Sequence, residues 1–381
     1  MSLFDDEALR AVLAALPGAR IVGGAVRDRL AGRPVADIDL ATPLPPDETA
    51  RALAAAGIRA VPTGIDHGTV TAVLDGRGFE ITTLRRDVET DGRHATVAYT
   101  GDWREDAARR DFTINAMSMA PDGTLYDYFG GRADLAAGRV RFVGAAAQRI
   151  AEDYLRILRF FRFFARYAAG APDAEAVAAI RAGVPGLARL SPERVWSELA
   201  RILAAPDPVP AVALMAELGV LAAVLPEGAD PAALARLVAA GAPADPLLRL
   251  AALLAGDEAV LAGRLRLSGA ERRHLAALRA RPAPDPADDD AALRRLLADA
   301  PADILSGRAW LAGRGPALPD RLAALPRPVF PLEGRDVLAL GLAPGPTVGA
   351  ALRRVRQWWK DGGCVADAQA CRTELARQVR G

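Results

Sequence analysis

Residues 37 and 39 are both aspartate, in the stretch ADIDLAT, and they follow closely on two adjacent glycines, Gly23 and Gly24, in ARIVGGAVRDRL. In a strand, side chains alternate between faces, so Asp37 and Asp39 share one face while Ile38 enters the core from the other. Two carboxylates that close raise one another's pKa unless a cation neutralises them. Mg²⁺ prefers a few carboxylates completed by substrate phosphates to a full protein cage. A solvated strand end carrying two acidic residues is the alternative. An apolar strand ending in Gly23 and Gly24 and running into helix-forming AVRDRL presents backbone N–H groups, unobstructed by Cβ atoms, where a phosphate can sit. Arg27, one turn into that helix, can clamp the same anion through two parallel hydrogen bonds. Taken alone, a Gly-Gly turn also reads as a tight turn with close packing. Phosphoryl or nucleotidyl transfer assisted by paired metals is the chemistry that needs both features together.

Two further segments carry patterned charge. In WREDAARRDFTINAMSM, residues 103–119, Arg109, Arg110 and Asp111 lead into apolar Phe112, Ile114, Ala116 and Met117, as in an element that docks on a core and presents its charged end at a cleft. In RIAEDYLRILRFFRFFARYA, residues 149–168, Asp153, Arg156, Arg159 and Arg162 recur every third residue. On one helix such a row drifts by about 60° per step, so its members share a broad face while Leu155, Leu158, Phe161 and Phe164 pack elsewhere. A salt-bridged amphipathic helix, with Asp153 paired to Arg156, gives the same pattern. Of the 48 basic residues only Lys360 is lysine, so arginine patterns arise by chance more often here than usual.

The elements that must position these residues change character near residue 145. Before it, β-rich runs alternate with helical ones, and GTVTAVLDGRGFEITTL alternates polar and apolar residues on both sides of an Asp-Gly turn, as in a hairpin. After it, Ala, Leu and Arg fill blocks of helical length cut by Pro and Gly, with the Pro/Asp-rich stretch at 281–290 as the expected linker or loop. The chain has 381 residues, 51% hydrophobic and 25% charged, which suits a globular protein of two or three domains. A net charge of +1 argues against a wholly basic nucleic-acid binder but averages over local surfaces. The acidic start MSLFDDEALR lacks the order of a signal peptide, and the longest apolar run is interrupted by Glu217, which predicts a cytoplasmic protein. Two cysteines, Cys364 and Cys371, support neither a disulfide framework nor a zinc cluster.

In this order, GGAVRDRLAG, DID, RRDFTINA and EDYLRILRFFRF resemble the class II tRNA nucleotidyltransferase and bacterial poly(A) polymerase family, within the polymerase-β-like nucleotidyltransferases. The resemblance covers about residues 19–200, including SPERVWSELARIL at 191–203, and GRDVLALGLAPGPTVGAALRRV at 334–355 looks like a C-terminal segment of bacterial members. It implies an α+β fold: a head with a mixed sheet and flanking helices over 1–142, then an all-helical neck over 143–205, which binds the base and RNA, and an all-helical body and tail over 206–381, which bind tRNA. It implies that Asp37 and Asp39 hold two Mg²⁺ ions, one lowering the pKa of the RNA 3′-hydroxyl and one stabilising pyrophosphate as it leaves. Gly24 and Arg27 match positions that contact nucleotide phosphates, and Arg110 matches a nucleotide-binding arginine. Asp153 and Arg156 match the pair that reads the Watson–Crick edge, and Arg159 and Arg162 match nucleotide-binding positions beside it. Glu80 is a candidate third acid near the metals.

Within the family, residues 62–87 resemble the CCA-adding branch, which implies CTP and ATP as substrates and the tRNA acceptor arm and 3′ end as partner. The stretch 87–103 looks like the flexible loop that accompanies the switch from CTP to ATP. Three histidines, His67, His94 and His274, are too few for the phosphohydrolase domain of some relatives. Poly(A) polymerase activity, and RNA binding on an inactivated head, are the alternatives. The pair Trp358 and Trp359, on an amphipathic terminal helix, reads as packing.

Overall fold

The computed structural model describes residues 6–35, 37–64, 68–90 and 95–380, with 87–90 and 95–97 as backbone alone. By its contacts the chain forms two units, Met1–Val224 and Leu225–Gly381.

The first unit opens on helix α1 (Glu7–Ala15), started by the Asp6 carboxylate accepting from Leu9 N at 3.2 Å. Strand β1 (Arg20–Val22) then runs through Gly23 into α2 (Gly24–Leu30), followed by β2 (Leu40–Thr42) and α3 (Pro46–Ala55). Strands β3 (Arg59–Gly64), β4 (Thr69–Leu74) and β5 (Arg77–Thr83) form a meander, and β6 (Arg85–Thr90) with β7 (Ala95–Tyr99) forms a separate antiparallel ribbon. Helix α4 (Trp103–Ala108), a 3₁₀ turn at Thr113–Asn115, the short strands β8 (Ser118–Met119) and β9 (Leu125–Tyr126), and α5 (Gly131–Ala136) complete the sheet-bearing part.

The sheet order is β3-β4-β5-β2-β1-β8-β9, with β2 and β5 parallel and the other neighbours antiparallel, so the sheet is mixed as the sequence implied. The β4–β5 hairpin closes on Asp75 and Gly76, both at positive φ (52° and 75°), the two-residue turn whose twist suits a hairpin. Alternation along β5 buries Phe79, Ile81 and Thr83 and leaves Glu80 exposed. Phe79 and Ile81 join Ile21, Leu40, Val70 and Ala72, with Leu9 and Leu53 from α1 and α3, in one core.

Helices then follow one another: α6 (Ala146–Glu152), α7 (Leu155–Tyr167), α8 (Ala174–Gly183), α9 (Pro192–Leu203), α10 (Val209–Glu217) and α11 (Val220–Val224). The residue row read as one helix over 149–168 is two. Asp153 is extended (φ −155°, ψ 108°), and its carboxylate caps Leu155 N at 3.0 Å, which ends α6 and starts α7. Gly186 permits this junction: a Cβ there would lie 2.0 Å from the Tyr154 ring. Rings lock α7 to the loop after α4, with Phe112 centroids 4.8 Å from Phe142 and 5.3 Å from Phe163. The docking expected of the Phe112 segment is therefore made onto this helix.

The second unit contains, among the described residues, ten helices between Pro231 and Arg380. Its arginines close helix ends: Arg279 Nη1 donates to the Ala251 and Leu254 carbonyls at 3.2 and 2.6 Å, and Arg308 Nε to Ala277 at 2.7 Å. The stretch 281–290 is a loop inside this unit, held by Arg308 and Arg314. Trp359 is buried and donates to the Ala366 carbonyl, as packing predicts, whereas its neighbour Trp358 is exposed. Cys364 and Cys371 are free thiols, both buried. Among the described residues no helix is long and apolar enough to cross a membrane.

Candidate active site

A cleft of about 670 Å³ in the first unit gathers the sequence-derived candidates. Gly24, Arg27, Asp39, Arg110, Asp153, Arg156, Arg159 and Arg162 all line it. Asp37 is exposed two residues ahead of Asp39 and lies close enough for its charge to act on Asp39.

The acidic edge comes from β2 and β5. The Asp39 carbonyl accepts from Val22 N at 3.0 Å, prolonging the β1–β2 ladder past its formal end, and Ile38 packs on the core below while both aspartates stay exposed. Leu40 pairs with Ile81 in the parallel register, which sets Glu80 beside Asp39. Although Asp39 remains accessible, the cleft walls partly strip water from its carboxyl and push it above the ordinary range; Glu80 adds to this, Arg110 opposes it and Asp37 adds again. Carboxylate oxygens are hard donors, so this acidic edge suits a hard divalent cation over a soft one. Among the described residues no group of three or more His, Cys, Asp or Glu side chains is placed to hold a metal ion, so a cation here would rest on the aspartate pair and on oxygens from outside the chain.

Opposite the acids lies a basic wall. Gly23, at φ 64°, makes the turn into α2, and a Cβ there would stand 3.0 Å from Arg110 Nη1. Arg27 is buried with a bidentate hold on Asp28 (3.0 and 2.9 Å), and its guanidinium stacks 4.6 Å from the Tyr167 ring and 5.1 Å from Phe163. Tyr167 in turn donates its hydroxyl to Asp28. Arg109 and Arg110 share the carboxylate of Asp106 at 2.9 and 3.2 Å. Burial alone pushes Asp106 up, but Arg110 and then Arg109 outweigh it and hold the carboxyl below the usual value.

The side of the cleft built by α6, α7 and α9 is an ordered ion network, and the Asp153–Arg156 pair expected for a plain amphipathic helix is absent from it. Asp153 Oδ2 instead accepts from Arg194 of α9 at 2.7 Å, and Arg156 is held by Glu152 and by the Arg149 carbonyl at 2.8 Å. Arg159 Nε binds Asp111 at 2.7 Å, and Arg162 Nη1 binds Glu198 of α9 at 3.1 Å. Burial pulls the Arg162 pKa down to about 10, with Glu198 opposing and Arg159 adding. The Glu198 Oε2 atom is buried without a hydrogen-bond partner among the described residues.

Eight arginines and three aspartates line this cleft, so its field selects a polyanion and its few carboxylates select the groups that polyanion carries. The sequence reading omitted Arg194, Glu198, Asn115 and Arg85. Arg194 and Glu198 lie in SPERVWSELARIL, already noticed as a segment, but nothing in an arginine-rich helix distinguishes them until α9 packs on α7.

Residues 19–141 match the family described as Poly A polymerase head domain, and residues 171–230 match that described as Probable RNA and SrmB- binding site of polymerase A. The mouse protein named CCA tRNA nucleotidyltransferase 1, mitochondrial, is 39% identical over 364 residues, covering 90% of this chain and 83% of its own. The chain belongs to the CCA tRNA nucleotidyltransferase family. The CCA-adding enzyme of Geobacillus stearothermophilus is 39% identical over 225 residues, 58% of this chain and 54% of its own. A crystal structure of the Bacillus stearothermophilus CCA-adding enzyme in complex with CTP superposes with a TM-score of 0.81 at 27% identity, over 100% of this chain and 98% of that one. The nucleotidyltransferase fold of this family, a mixed-sheet head followed by helices, is thus the fold of this chain. The stretch 87–103, read as an open loop, has the β6–β7 ribbon as its backbone, and its residues 91–94 lie outside the described residues.

Asp106 offers a stability test of the basic wall. Asp106→Ala leaves two arginines and the Arg85 N–H without their shared acceptor, and is expected to cost about 3 kcal/mol. Because the folded carboxyl sits below its ordinary 3.8, its contribution is fully present above that pH and drains away as pH falls through the lower folded value. Urea unfolding at pH 7 and pH 3 should show a smaller difference between wild type and variant at the lower pH.

Proposed function

We propose that the chain adds CMP, CMP and AMP to the 3′ end of tRNA without a nucleic-acid template, releasing pyrophosphate at each step. One observation carries this reading: the acidic edge of β2, the arginines of the β1–α2 turn and the α4 loop, and Asp153 and Arg156 all face a single cleft.

In this reading Asp37 and Asp39 are the catalytic, metal-holding pair, and Glu80 stands beside them. Family membership carries a divalent cation; Mg²⁺ is the ion proposed, on the strength of an all-oxygen donor set. When bound, such ions acidify the attacking 3′-hydroxyl and stabilise the leaving pyrophosphate. The Gly24 backbone, Arg27 and Arg110 hold the triphosphate, and Arg159 and Arg162 complete the nucleotide site. Asp153 accepts from an exocyclic amine while Arg156 donates to ring acceptors, a combination that cytosine and adenine satisfy. Guanine and uracil set donor against donor or acceptor against acceptor, and unpaired groups in a closed site exclude them.

The chain divides, in this reading, into a head (1–142), a neck that binds base and RNA (143–205), and a body and tail that bind tRNA (206–381), chiefly through its phosphates. The proposed compartment is the cytoplasm. The free, buried thiols fit a reducing environment there.

The test supplies tRNA lacking its CCA end with Mg²⁺ and CTP, ATP or both, and resolves products at single-nucleotide length. Two additions with CTP and a third only with ATP present are expected. A long ladder from ATP alone would replace this reading with a poly(A) polymerase, and binding without extension would replace it with an RNA-binding protein.

A further inference from the structure

The side-chain amide of Asn115 stands between a cation and an anion. Its Oδ1 accepts from Arg27 Nη1 at 2.6 Å, and its Nδ2 donates to Asp111 Oδ1 at 2.9 Å. Arginine only donates and an ionised carboxylate only accepts, so the partners fix which end of the amide is which. Asp111 is ionised: burial pushes its carboxyl up, but Arg159 and the Asn115 amide outweigh that and hold it below the usual range. Its other oxygen takes Arg159 Nε at 2.7 Å. Arg27, Asn115, Asp111 and Arg159 therefore form one unbroken chain from α2 through the 3₁₀ turn to α7. Its first three members are at most 8% exposed.

The chemistry at position 115 is narrow. A carboxylate there would face the Asp111 carboxylate across a hydrogen-bond distance, and an aliphatic side chain would take one buried partner from each neighbour, leaving Arg27 Nη1 without this acceptor and Asp111 Oδ1 with Phe112 N. It would also let ionised Asp111 turn towards Arg27 and away from Arg159. With the amide in place, each guanidinium keeps its own carboxylate, Arg27 with Asp28 and Arg159 with Asp111.

We propose that Asn115 is a positioning residue, an amide adapter that divides Arg27 and Arg159 between Asp28 and Asp111 and so holds the phosphate-side arginine and the α7 arginine row in register before a nucleotide arrives. The proposal rests on reading the cleft as the nucleotide site.

Asn115→Asp tests it through pH. Ionised, the new carboxylate repels Asp111. Protonated, its carbonyl accepts from Arg27 and its hydroxyl donates to Asp111, reproducing the amide. Arg27 from α2 and Asp111 from the loop after α4 face it directly; behind them stand Asp28, paired with Arg27, Arg159 of α7, paired with Asp111, and Asp134 of α5, which accepts from Thr113 in the same 3₁₀ turn. CTP binding to the full chain is measured by calorimetry at pH 8 and pH 6, with melting temperatures taken alongside. Relative to wild type at the same pH, the variant is expected to bind about tenfold more weakly at pH 8, with the defect narrowing only as far as a proton is shared with Asp111 at lower pH. Asn115→Leu should be weakened at both. Wild-type affinity of Asn115→Asp at pH 8, or of Asn115→Leu at either pH, overturns the adapter role whatever the melting temperatures do. Wild-type protein that binds neither CTP nor ATP overturns the nucleotide reading itself and the adapter role with it.

Discussion

Asp39→Asn is expected to lower the rate of nucleotide transfer at least about a thousandfold while leaving the protein as stable as wild type, or more so, in metal-free buffer. The two halves of this expectation come from the same electrostatics. Burial, Glu80 and Asp37 all raise the Asp39 pKa, with Arg110 only partly offsetting them. A carboxylate raised in the folded state contributes stability at pH below its ordinary value and loses it as pH rises through the folded value, so ionised Asp39 is a cost at neutral pH. Asparagine keeps the size and removes that cost along with the charge. The side chain makes no hydrogen bond among the described residues, and the strand pairing at this position uses the backbone carbonyl, which the substitution leaves alone. Single-turnover extension of tRNA measures the first half, and melting in chelator with and without added Mg²⁺ measures the second. Wild type should melt higher with Mg²⁺ and the variant should not. A variant that transfers within tenfold of wild type would remove Asp39 from the chemistry.

The local signals in the sequence were those whose cause is local. Asp75-Gly76 dictates a hairpin turn because both residues must take positive φ, and Ile38 between two aspartates dictates which face of the chain enters the core. The parallel pairing of β2 with β5 was not legible, because it joins residues some forty positions apart. Yet that pairing is what brings Glu80 beside Asp39. The helix break at Asp153 escaped periodicity for a related reason. Arg156, Arg159 and Arg162, spaced by three, all lie after the break and so carry no sign of it, while the break depends on a carboxylate turning back to cap Leu155 and on Tyr154 lying against Gly186, which is distant in sequence. Ion-pair partners were the least legible feature. In a chain with this much arginine, spacing offers Arg156 as the partner of Asp153, and only the packing of α9 against α7 delivers Arg194 instead.

That exchange of partners governs the effect expected of Asp153→Ala. Asp153 Oδ1 takes Leu155 N–H and Oδ2 takes Arg194 Nη2, so the carboxylate is fixed at both oxygens and each retains a lone pair for a base. Arg156 is likewise held through Nη1 and keeps other N–H groups unspent by that contact. The pair is thus preorganised, and discrimination by a preorganised hydrogen-bonding site exceeds what shape alone provides. In the proposed reading, Asp153→Ala removes the acceptor for the exocyclic amine shared by cytosine and adenine. The ratio of kcat/KM for CTP over UTP is expected to fall about a hundredfold, chiefly through the loss for CTP. Inhibition by inorganic triphosphate should stay near wild type, because Arg27 and Arg110 are held by their own carboxylates, Asp28 and Asp106, and not by Asp153. Arg194→Met removes only the group that holds the carboxylate, so it should lower the same ratio by a smaller factor, about tenfold. Unchanged CTP:UTP selectivity in Asp153→Ala would detach the base-reading role from this pair. A parallel loss of triphosphate inhibition would mean instead that the substitution had disturbed the α6–α7 junction, since the same carboxylate caps α7.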